Sequence, residues 1–305
     1  MIRAGAIAAA ALVVLSGARA EAAACCVSAS AFGLGRLAVW ENGAVLFTAA
    51  AAPSPGSWNE HGHYIANPTG TSDVELRPAL TGLIALKPRW LLAGRMPWVI
   101  NARSADGRSD VGHGLGDALL TTRVEAIQIG EYAHVPGVAV NLGVTIPFGT
   151  SMARTQRLLA TDVTGRGAWA LGAGVTLEET WRGTWYLQLS LGSTVPLPMA
   201  GVLPGHSQRF GPTFDTTVAA GVELRTGLVV SVIARASYET QLHVDEAPVP
   251  DSSALDVGVG PAVSWRFHPK WTVQAAVDTG VFVDGLGDNT PARFTATFGV
   301  RHAFF

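Results

Sequence analysis

The sequence predicts an all-β protein, a transmembrane antiparallel up-and-down β-barrel of about 12 strands. Its 305 residues are 48% hydrophobic and only 14% charged, whereas about 25% of a typical soluble domain is charged. After residue 20 the apolar residues are dispersed, and no run approaches the roughly 20 apolar residues of a membrane helix. Apolar residues that alternate with polar ones are typical of strands with one face toward lipid.

The alternation recurs along the chain with a period of two, which is the side-chain period of a strand. In residues 138–148, for example, Val140, Leu142 and Val144 alternate with Asn141 and Gly143. An even number of strands is expected of a bacterial single-chain barrel. The strands are predicted near 35–50, 74–86, 90–103, 116–129, 138–148, 169–178, 185–194, 214–224, 230–241, 255–267, 271–283 and 293–305.

The connections between these strands alternate in length. Those after even-numbered strands are short and lie at Lys87-Pro88, 130–137, Arg182-Gly183, Thr226-Gly227 and 268–270. Those after odd-numbered strands are mostly longer and lie at 51–73, 104–114, 150–164, 199–208, 244–253 and 285–292. Short periplasmic turns and long extracellular loops are typical of outer-membrane barrels. A secreted soluble β-sandwich, the alternative fold, gives no reason for this alternation.

The N-terminus indicates export. Arg3, the uncharged stretch 4–17 and the small residues of Ala18-Arg19-Ala20 predict a signal peptide at residues 1–20. We therefore expect an N-terminal leader at 21–34, a barrel at 35–305 and a location in the bacterial outer membrane. The two cysteines, Cys25 and Cys26, fall in the leader. A disulfide between them, lipidation of Cys25 and no structural role are all open alternatives.

The two ends of the strands carry further signals. Trp90, Trp185 and Trp271 lie beside short connections, where an interfacial aromatic girdle is expected. The last strand runs into Phe304, with Phe305 on its other face. A C-terminal phenylalanine is typical of the signal that the outer-membrane assembly machinery recognises. We therefore expect that machinery and outer-membrane lipid as partners.

The inward face of the predicted strands carries charges of both signs. Because the formal net charge is only −2, we expect weak ion preference and no nucleic-acid partner. Barrels of eight strands are filled by side chains and those of sixteen leave an aqueous channel, so twelve strands predict a narrow or partly plugged pore. The candidate selectivity residues of the lumen are Arg77, Arg95, Arg103, Asp117, Arg123, Glu125, Glu178, Asp215, Glu223, Arg235 and Glu239.

Three prolines lie near the extracellular ends of strands three, five and seven: Pro97, Pro147 and Pro196. Proline cannot donate a hydrogen bond to a strand ladder, so it is confined to edges, ends or bulges. One interpretation is that the strands simply end there. The other is that the three prolines kink the wall and form a lateral opening or a constriction.

The tetrapeptide Gly-Leu-Gly-Asp occurs twice, at 114–117 and at 285–288. Neither copy precedes a helical pattern, which makes a phosphate-binding loop a poor interpretation. Both copies lie where a strand meets an extracellular loop. Glycine permits a tight junction there, and the aspartate side chain can accept hydrogen bonds from exposed backbone amides.

These features together resemble one known family. The first Gly-Leu-Gly-Asp copy, the residues Leu119-Leu120-Thr121-Thr122-Arg123 that follow it, the apolar-Pro-aromatic strand ends and the terminal phenylalanine are similar to outer-membrane transporters of the "MetA-pathway of phenol degradation" type. The resemblance implies passive uptake of small molecules, hydrophobic or aromatic ones included. A small-molecule solute is then the expected partner.

Other functions have weaker support in the sequence. An outer-membrane phospholipase-like hydrolase would need a serine beside an outward histidine, and no such partner of His302 is identifiable. His61 and His63, spaced by one residue, could bind a metal only weakly. A surface structural or adhesive barrel would depend on the loops, whose sequences indicate no ligand. We therefore predict no enzyme, no cofactor and no metal.

Overall fold

A computed structural model describes residues 36–38, 40–132, 134–181, 184–200, 207–224, 227–280 and 284–305. The predicted signal peptide at 1–20, the leader at 21–34 with Cys25 and Cys26, the turn Arg182-Gly183 and Thr226 lie outside these residues. Within the described ranges, no helix is long and apolar enough to cross a membrane.

The main sheet contains fourteen strands, of which two are short additions at its rim and twelve form the barrel wall. Each wall strand pairs antiparallel with its neighbour in sequence, and the last strand pairs with the first. The predicted closed barrel is thereby confirmed. The wall strands are β1 Gly43–Pro53, β2 Ser72–Lys87, β3 Trp90–Ala105, β4 Ala118–Ile127, β5 Gly137–Ile146, β6 Ala170–Trp181, β7 Trp185–Pro196, β8 Thr213–Glu223, β9 Leu228–Glu239, β10 Ala254–His268, β11 Trp271–Gly280 and β12 Phe294–Phe304.

Alternation along the strands separates an apolar exterior from a polar interior. Leu80 and Leu142 are more than half exposed, whereas their neighbours Thr81 and Asn141 are buried. The exposed apolar side chains therefore form the surface that contacts lipid in the outer membrane. Trp90, the first residue of β3, stays exposed beside a short turn, as the predicted girdle requires.

Two predicted boundaries differ from the structure. β1 begins at Gly43 rather than near residue 35, because the residues before it lie inside the periplasmic mouth. The segment predicted as a loop at 104–114 is mostly paired: the ribbon Arg108–Leu115 continues antiparallel along the outer half of β3. A tight turn joins them, and both Asp106 and Gly107 have positive φ, at 52° and 74°. Asp-Gly is a preferred pair for such hairpin turns.

The extracellular loops form small sheets above the barrel. One contains Gly56–Trp58, Tyr64–Ala66 and Pro291–Ala292, and another contains Met199–Ala200, Ser207–Arg209, His243–Val244 and Ala247–Pro248. Trp58 is almost fully buried in the first group and lies so close to Gly287 that a Cβ there would overlap its indole ring. The glycine of the second Gly-Leu-Gly-Asp copy therefore makes room for a tryptophan from another loop.

The barrel lumen as candidate functional site

The charged residues of β4 and β6 meet at the periplasmic mouth of the lumen. Arg123 donates to Glu178 over 3.1 Å, and Gln188 of β7 donates to the same carboxylate over 3.2 Å. Arg36, which precedes β1, reaches Glu125 at 3.0 Å and Glu178 at 3.7 Å. The two guanidinium groups and two carboxylates are largely buried and balance in charge. This network therefore attaches the N-terminal segment to the wall without leaving a net charge.

The N-terminal segment, described at residues 36–38 and 40–42, crosses this mouth from one wall to the other. At its far end Glu41 pairs with Arg301 of β12, and both side chains are less than 8% exposed. Between the two ends, Leu37 packs into an apolar cluster with Leu83 and Leu91. A cavity of about 310 Å³ lies beside the segment. The mouth is therefore only partly closed, which agrees with the narrow or partly plugged pore expected of twelve strands.

The middle of the lumen has separate charged groups on opposite walls. On β2, Arg77 pairs with Glu75 at 2.5 Å, and Arg293 approaches the same carboxylate at 3.8 Å. On β9, Arg235 pairs with Asp256 of β10 at 2.5 Å and with Asp278 of β11. The remaining selectivity candidates of the lumen are Arg95 on β3, Asp215 and Glu223 on β8, and Glu239 on β9. Glu239 pairs with Arg166 at 2.7 Å.

The extracellular mouth is narrowed by the loop between β5 and β6, residues 147–169, here called L3. Asn101 of β3 donates to the carbonyls of Thr161 and Val163 over 3.0 and 2.7 Å. Arg103 donates to the carbonyls of Leu159 and Ala160, both over 3.0 Å, and to Asp73 over 3.1 Å. These inward side chains hold L3 against β3. Asn101 was not a sequence candidate, although alternation places it on the inward face.

The first Gly-Leu-Gly-Asp copy closes the neck of L3. The Asp117 carboxylate accepts hydrogen bonds from the backbone N–H of Gly149 at 3.0 Å and of Arg166 at 2.7 Å, one on each side of the loop. Thr164 reinforces the neck, because its hydroxyl donates to the Leu115 carbonyl and accepts from the Thr150 N–H. The prediction that this aspartate binds exposed backbone amides is confirmed.

The three prolines occupy different positions in the wall. Pro97 lies inside β3, where the partner of β3 changes from β4, after the pair Arg95–Leu119, to the ribbon Arg108–Leu115, from the pair Trp98–Leu115. The Gly116 N–H donates to the Pro97 carbonyl across this break. Pro147 follows the end of β5, and Pro196 is the last residue of β7. A change in pairing between adjacent strands therefore accompanies Pro97, while the other two prolines stand at strand ends.

Two of the histidines considered from the sequence as metal or catalytic candidates, His63 and His302, lie at the extracellular surface and on the outer face of the barrel. His63 contacts Asp284 at 3.2 Å between two extracellular loops. His302 makes edge-to-face contacts with Trp271 and Phe304, with ring centroids 4.4 and 4.8 Å away. Within the part of the chain that the structure describes, no group of three or more histidine, cysteine or acidic residues could hold a metal ion.

The Asp110 carboxylate attaches the tip of L3 to the extracellular ribbon Arg108–Leu115. The Thr161 hydroxyl donates to Asp110 over 2.6 Å and Arg157 donates over 2.7 Å, and these groups hold the pKa of Asp110 below its ordinary value. A depressed carboxyl pKa stabilises the contact above the ordinary value of about 3.9, and the stabilisation is lost as the pH falls through the lowered value.

We therefore expect L3 to remain attached from neutral pH down to about pH 4 and to loosen only in stronger acid. A spin label at the exposed Leu158, in protein with Cys25 and Cys26 replaced by serine, would measure this as label mobility. Asp110→Asn should make the label mobile at every pH, and Asp106→Asn is the control in the same ribbon. Loosening of the unsubstituted protein near pH 6 would contradict the assignment.

With the geometry established, comparisons identify the family. A family model described as "MetA-pathway of phenol degradation" matches residues 67–298. The chain belongs to this family. Among solved structures, this chain is similar to the COG4313 outer membrane channel from Pseudomonas putida F1. The TM-score is 0.72, with 12% identity over 88% of this chain and 97% of that chain. This likeness supports the barrel fold.

A more distant likeness is to the CymD monoaromatic hydrocarbon channel, with a TM-score of 0.45 and 7% identity over 87% of this chain and 89% of that chain. The NanC porin gives a TM-score of 0.49 and 9% identity over 84% and 98%. No curated protein matches the chain.

Proposed function

We propose that this family member is a passive channel for the uptake of small molecules, hydrophobic or aromatic compounds included. The observation that carries the proposal is a closed twelve-stranded barrel whose lumen is lined with polar side chains and narrowed at both ends. The family description, which refers to phenol degradation, supports aromatic solutes. No step of this function requires catalysis, and we propose that the protein is not an enzyme.

The lumen candidates have different roles in this proposal. Arg123, Glu125 and Glu178 hold the N-terminal segment in the periplasmic mouth, whereas Arg103 and Asp117 hold L3 at the extracellular one. Paired charges of this kind shape a passage without giving it a strong net field. We therefore expect weak preference between cations and anions for simple salts.

A lateral route through the wall is a second possibility for hydrophobic solutes. The change of partner at Pro97 favours it, because β3 passes there from β4 to the ribbon Arg108–Leu115 and the ladder is locally irregular. A disulfide across this break, between Met96→Cys and Ala118→Cys, should reduce uptake of an aromatic hydrocarbon but not of a hydrophilic solute. Equal effects on both would rule this route out.

Insertion of the barrel is proposed to depend on the outer-membrane assembly machinery. The terminal Phe304 pairs with Gly43 at the seam and presents an exposed ring, while Phe305 lies next to Lys270, whose amine is 5.9 Å from the ring centroid. Replacing both phenylalanines with alanine should lower the amount of folded barrel in the outer membrane. Equal amounts would argue against recognition of this end.

The channel itself is tested by planar-bilayer recording of the refolded mature chain. We expect discrete, ohmic current steps and the release of small solutes from proteoliposomes, because the partly closed lumen still leaves a cavity beside the N-terminal segment. Folding is checked by a heat-dependent change of mobility in SDS gels, and heat-denatured protein is the control. Folded protein that gives neither current nor solute release would contradict the proposed function.

A further inference from the structure

Arg95 differs from the other inward arginines of the middle lumen. Arg77 and Arg235 each contact a carboxylate, at 2.5 Å in both cases. Arg95 projects from β3 into the same space and is only partly accessible. Among the residues that the structure describes, none forms a hydrogen bond or an ion pair with its guanidinium group. The lumen therefore contains a cation whose five N–H donors lack a protein acceptor.

The immediate surroundings of Arg95 do not compensate this charge. Its partners across the two neighbouring strands are Thr81 on β2 and Leu119 on β4, neither of which carries a charge. The next inward residue along β3 is Pro97, whose side chain has no polar atom. A partly buried guanidinium without a counter-ion is costly, and the cost is removed when an anion binds. A carboxylate fits this group best, because two of its oxygens match the guanidinium fork.

The wall opposite Arg95 contains an apolar group among polar side chains. In a closed ring of twelve strands, β9 stands six positions from β3 and faces it across the lumen. Ile233 is five residues from Leu228, the first residue of β9, just as Arg95 is five residues from Trp90, the first residue of β3. Both side chains therefore lie at a similar height above the periplasmic turns.

Ile233 belongs to a larger apolar group on that wall. It packs, together with Ala276, against a buried cluster formed by Tyr186, Ala219, Val229 and Ala262. The Tyr186 ring lies against Gly221, where a Cβ would come within 2.5 Å of it. The tyrosine consequently covers the wall and does not extend across the passage. Ile233 and Ala276 remain partly accessible and form the surface of the group.

The distance between these walls suits a small ligand. A barrel of twelve strands spaced about 4.8 Å apart and tilted by about 40° has a backbone diameter of about 24 Å. Side chains from both walls reduce this width to a space of the order of one small molecule. A solute with a carboxylate at one end and an apolar body at the other could therefore satisfy both walls at once.

We propose that Arg95 and the facing apolar group form a binding site inside the lumen for small aromatic monocarboxylates. The carboxylate binds the Arg95 guanidinium group, and the ring lies against Ile233 and Ala276. This inference rests on the proposed channel function and deepens it, because it names a solute class. It also explains how a lumen of nearly balanced charge selects among solutes. The unpaired cation of Arg95 binds the carboxylate of an amphipathic solute, whereas the ions of simple salts meet no net electric field.

The site is tested first by equilibrium binding, with benzoate as the probe and benzyl alcohol as its uncharged counterpart. Calorimetry on the refolded mature chain in detergent should show benzoate binding at least about tenfold more tightly than the alcohol, the size of effect that one charge-assisted hydrogen bond provides. Arg95→Gln should lose this difference, and Arg95→Lys should keep part of it because the charge remains without the fork.

The matched control is Arg266→Gln. Arg266 is an inward-facing arginine of β10 close to the periplasmic end, so this substitution removes the same charge from the lumen at another place. Benzoate binding that persists in Arg266→Gln and is lost in Arg95→Gln supports the site. Equal binding by the parent protein and Arg95→Gln, or equal loss in both variants, would overturn it.

A second measurement separates failure of the site from failure of the channel. In planar bilayers, benzoate should reduce the chloride current of the parent protein severalfold more than that of Arg95→Gln. A conducting protein that does not bind benzoate would overturn the site and leave the channel intact. Protein that binds benzoate through Arg95 but passes no current and releases no solute would keep the site and overturn the channel.

Discussion

Removing the anchors of the N-terminal segment should raise the single-channel conductance severalfold. In the double variant Arg36→Ala, Glu41→Ala, the segment loses its contacts with Glu125 and Glu178 on one wall and with Arg301 on the other. Leu37 alone cannot keep residues 36–42 in the mouth against the entropy that they regain on release. The lumen then approaches that of an open barrel of this size.

Single-channel recording and exclusion of polyethylene glycols of graded size would measure the widening. Breaking a buried ion pair from one side costs about 3–5 kcal/mol when the remaining charge stays buried. Here the mouth fills with water once the segment leaves, so the barrel itself should remain folded in SDS-gel assays. The control Glu60→Ala removes an exposed loop carboxylate. Unchanged conductance and an unchanged exclusion limit would show that the segment does not restrict the passage.

Asp117→Ala should open the neck of L3. The substitution leaves the N–H groups of Gly149 and Arg166, at opposite sides of the neck, without their acceptor. The first is part-buried and the second exposed, so the cost lies at or below the about 1–3 kcal/mol of a buried donor without a partner. Asn101 and Arg103 still hold the rest of L3 against β3, so the neck should become the site of proteolysis in proteoliposomes.

The second Gly-Leu-Gly-Asp copy supplies the control for this experiment. Asp288 accepts a hydrogen bond from Ser253 at 3.3 Å, and no bond from L3 to it is found in the described residues. Asp288→Ala should therefore leave L3 resistant to the same protease. Asp117→Asn should give an intermediate rate, because the amide offers one acceptor oxygen but turns a donor toward the other N–H. Equal cleavage of the two alanine variants would contradict the role of Asp117.

The strand pattern could be predicted because lipid imposes it on the sequence. Leu80 and Leu142 must face hydrocarbon while Thr81 and Asn141 face the interior, and this alternation is visible in any single strand. The inward direction of Arg77 and Arg123 follows from the same rule. Glu75, the partner of Arg77, also follows from it, because it lies two residues earlier on the same strand. Glu178, the partner of Arg123, lies on another strand and does not, because a period of two says nothing about which walls approach each other.

The contents of the lumen could not be predicted for the same reason. Residues 36–42 carry the mixture of apolar and charged side chains that also makes a strand, so the first strand was expected to begin too early. The bonds from Asn101 and Arg103 go to backbone carbonyls of L3, and carbonyls leave no trace in the sequence. Only Asp117 gave a local signal, because an aspartate after Gly-Leu-Gly at a loop junction is suited to binding amides.

The ion pair between Glu41 and Arg301 also indicates the order of the folding steps of the barrel. The two residues are 260 positions apart, and Arg301 lies in the strand that closes the ring. Contacts of such long sequence separation form late, because the whole intervening chain must be in place first. Until β12 has joined β1, Glu41 has no arginine to bind, and only Arg36 holds the N-terminal segment by an ion pair. The pair between Glu41 and Arg301 is therefore a mark of completed assembly in the unsubstituted protein.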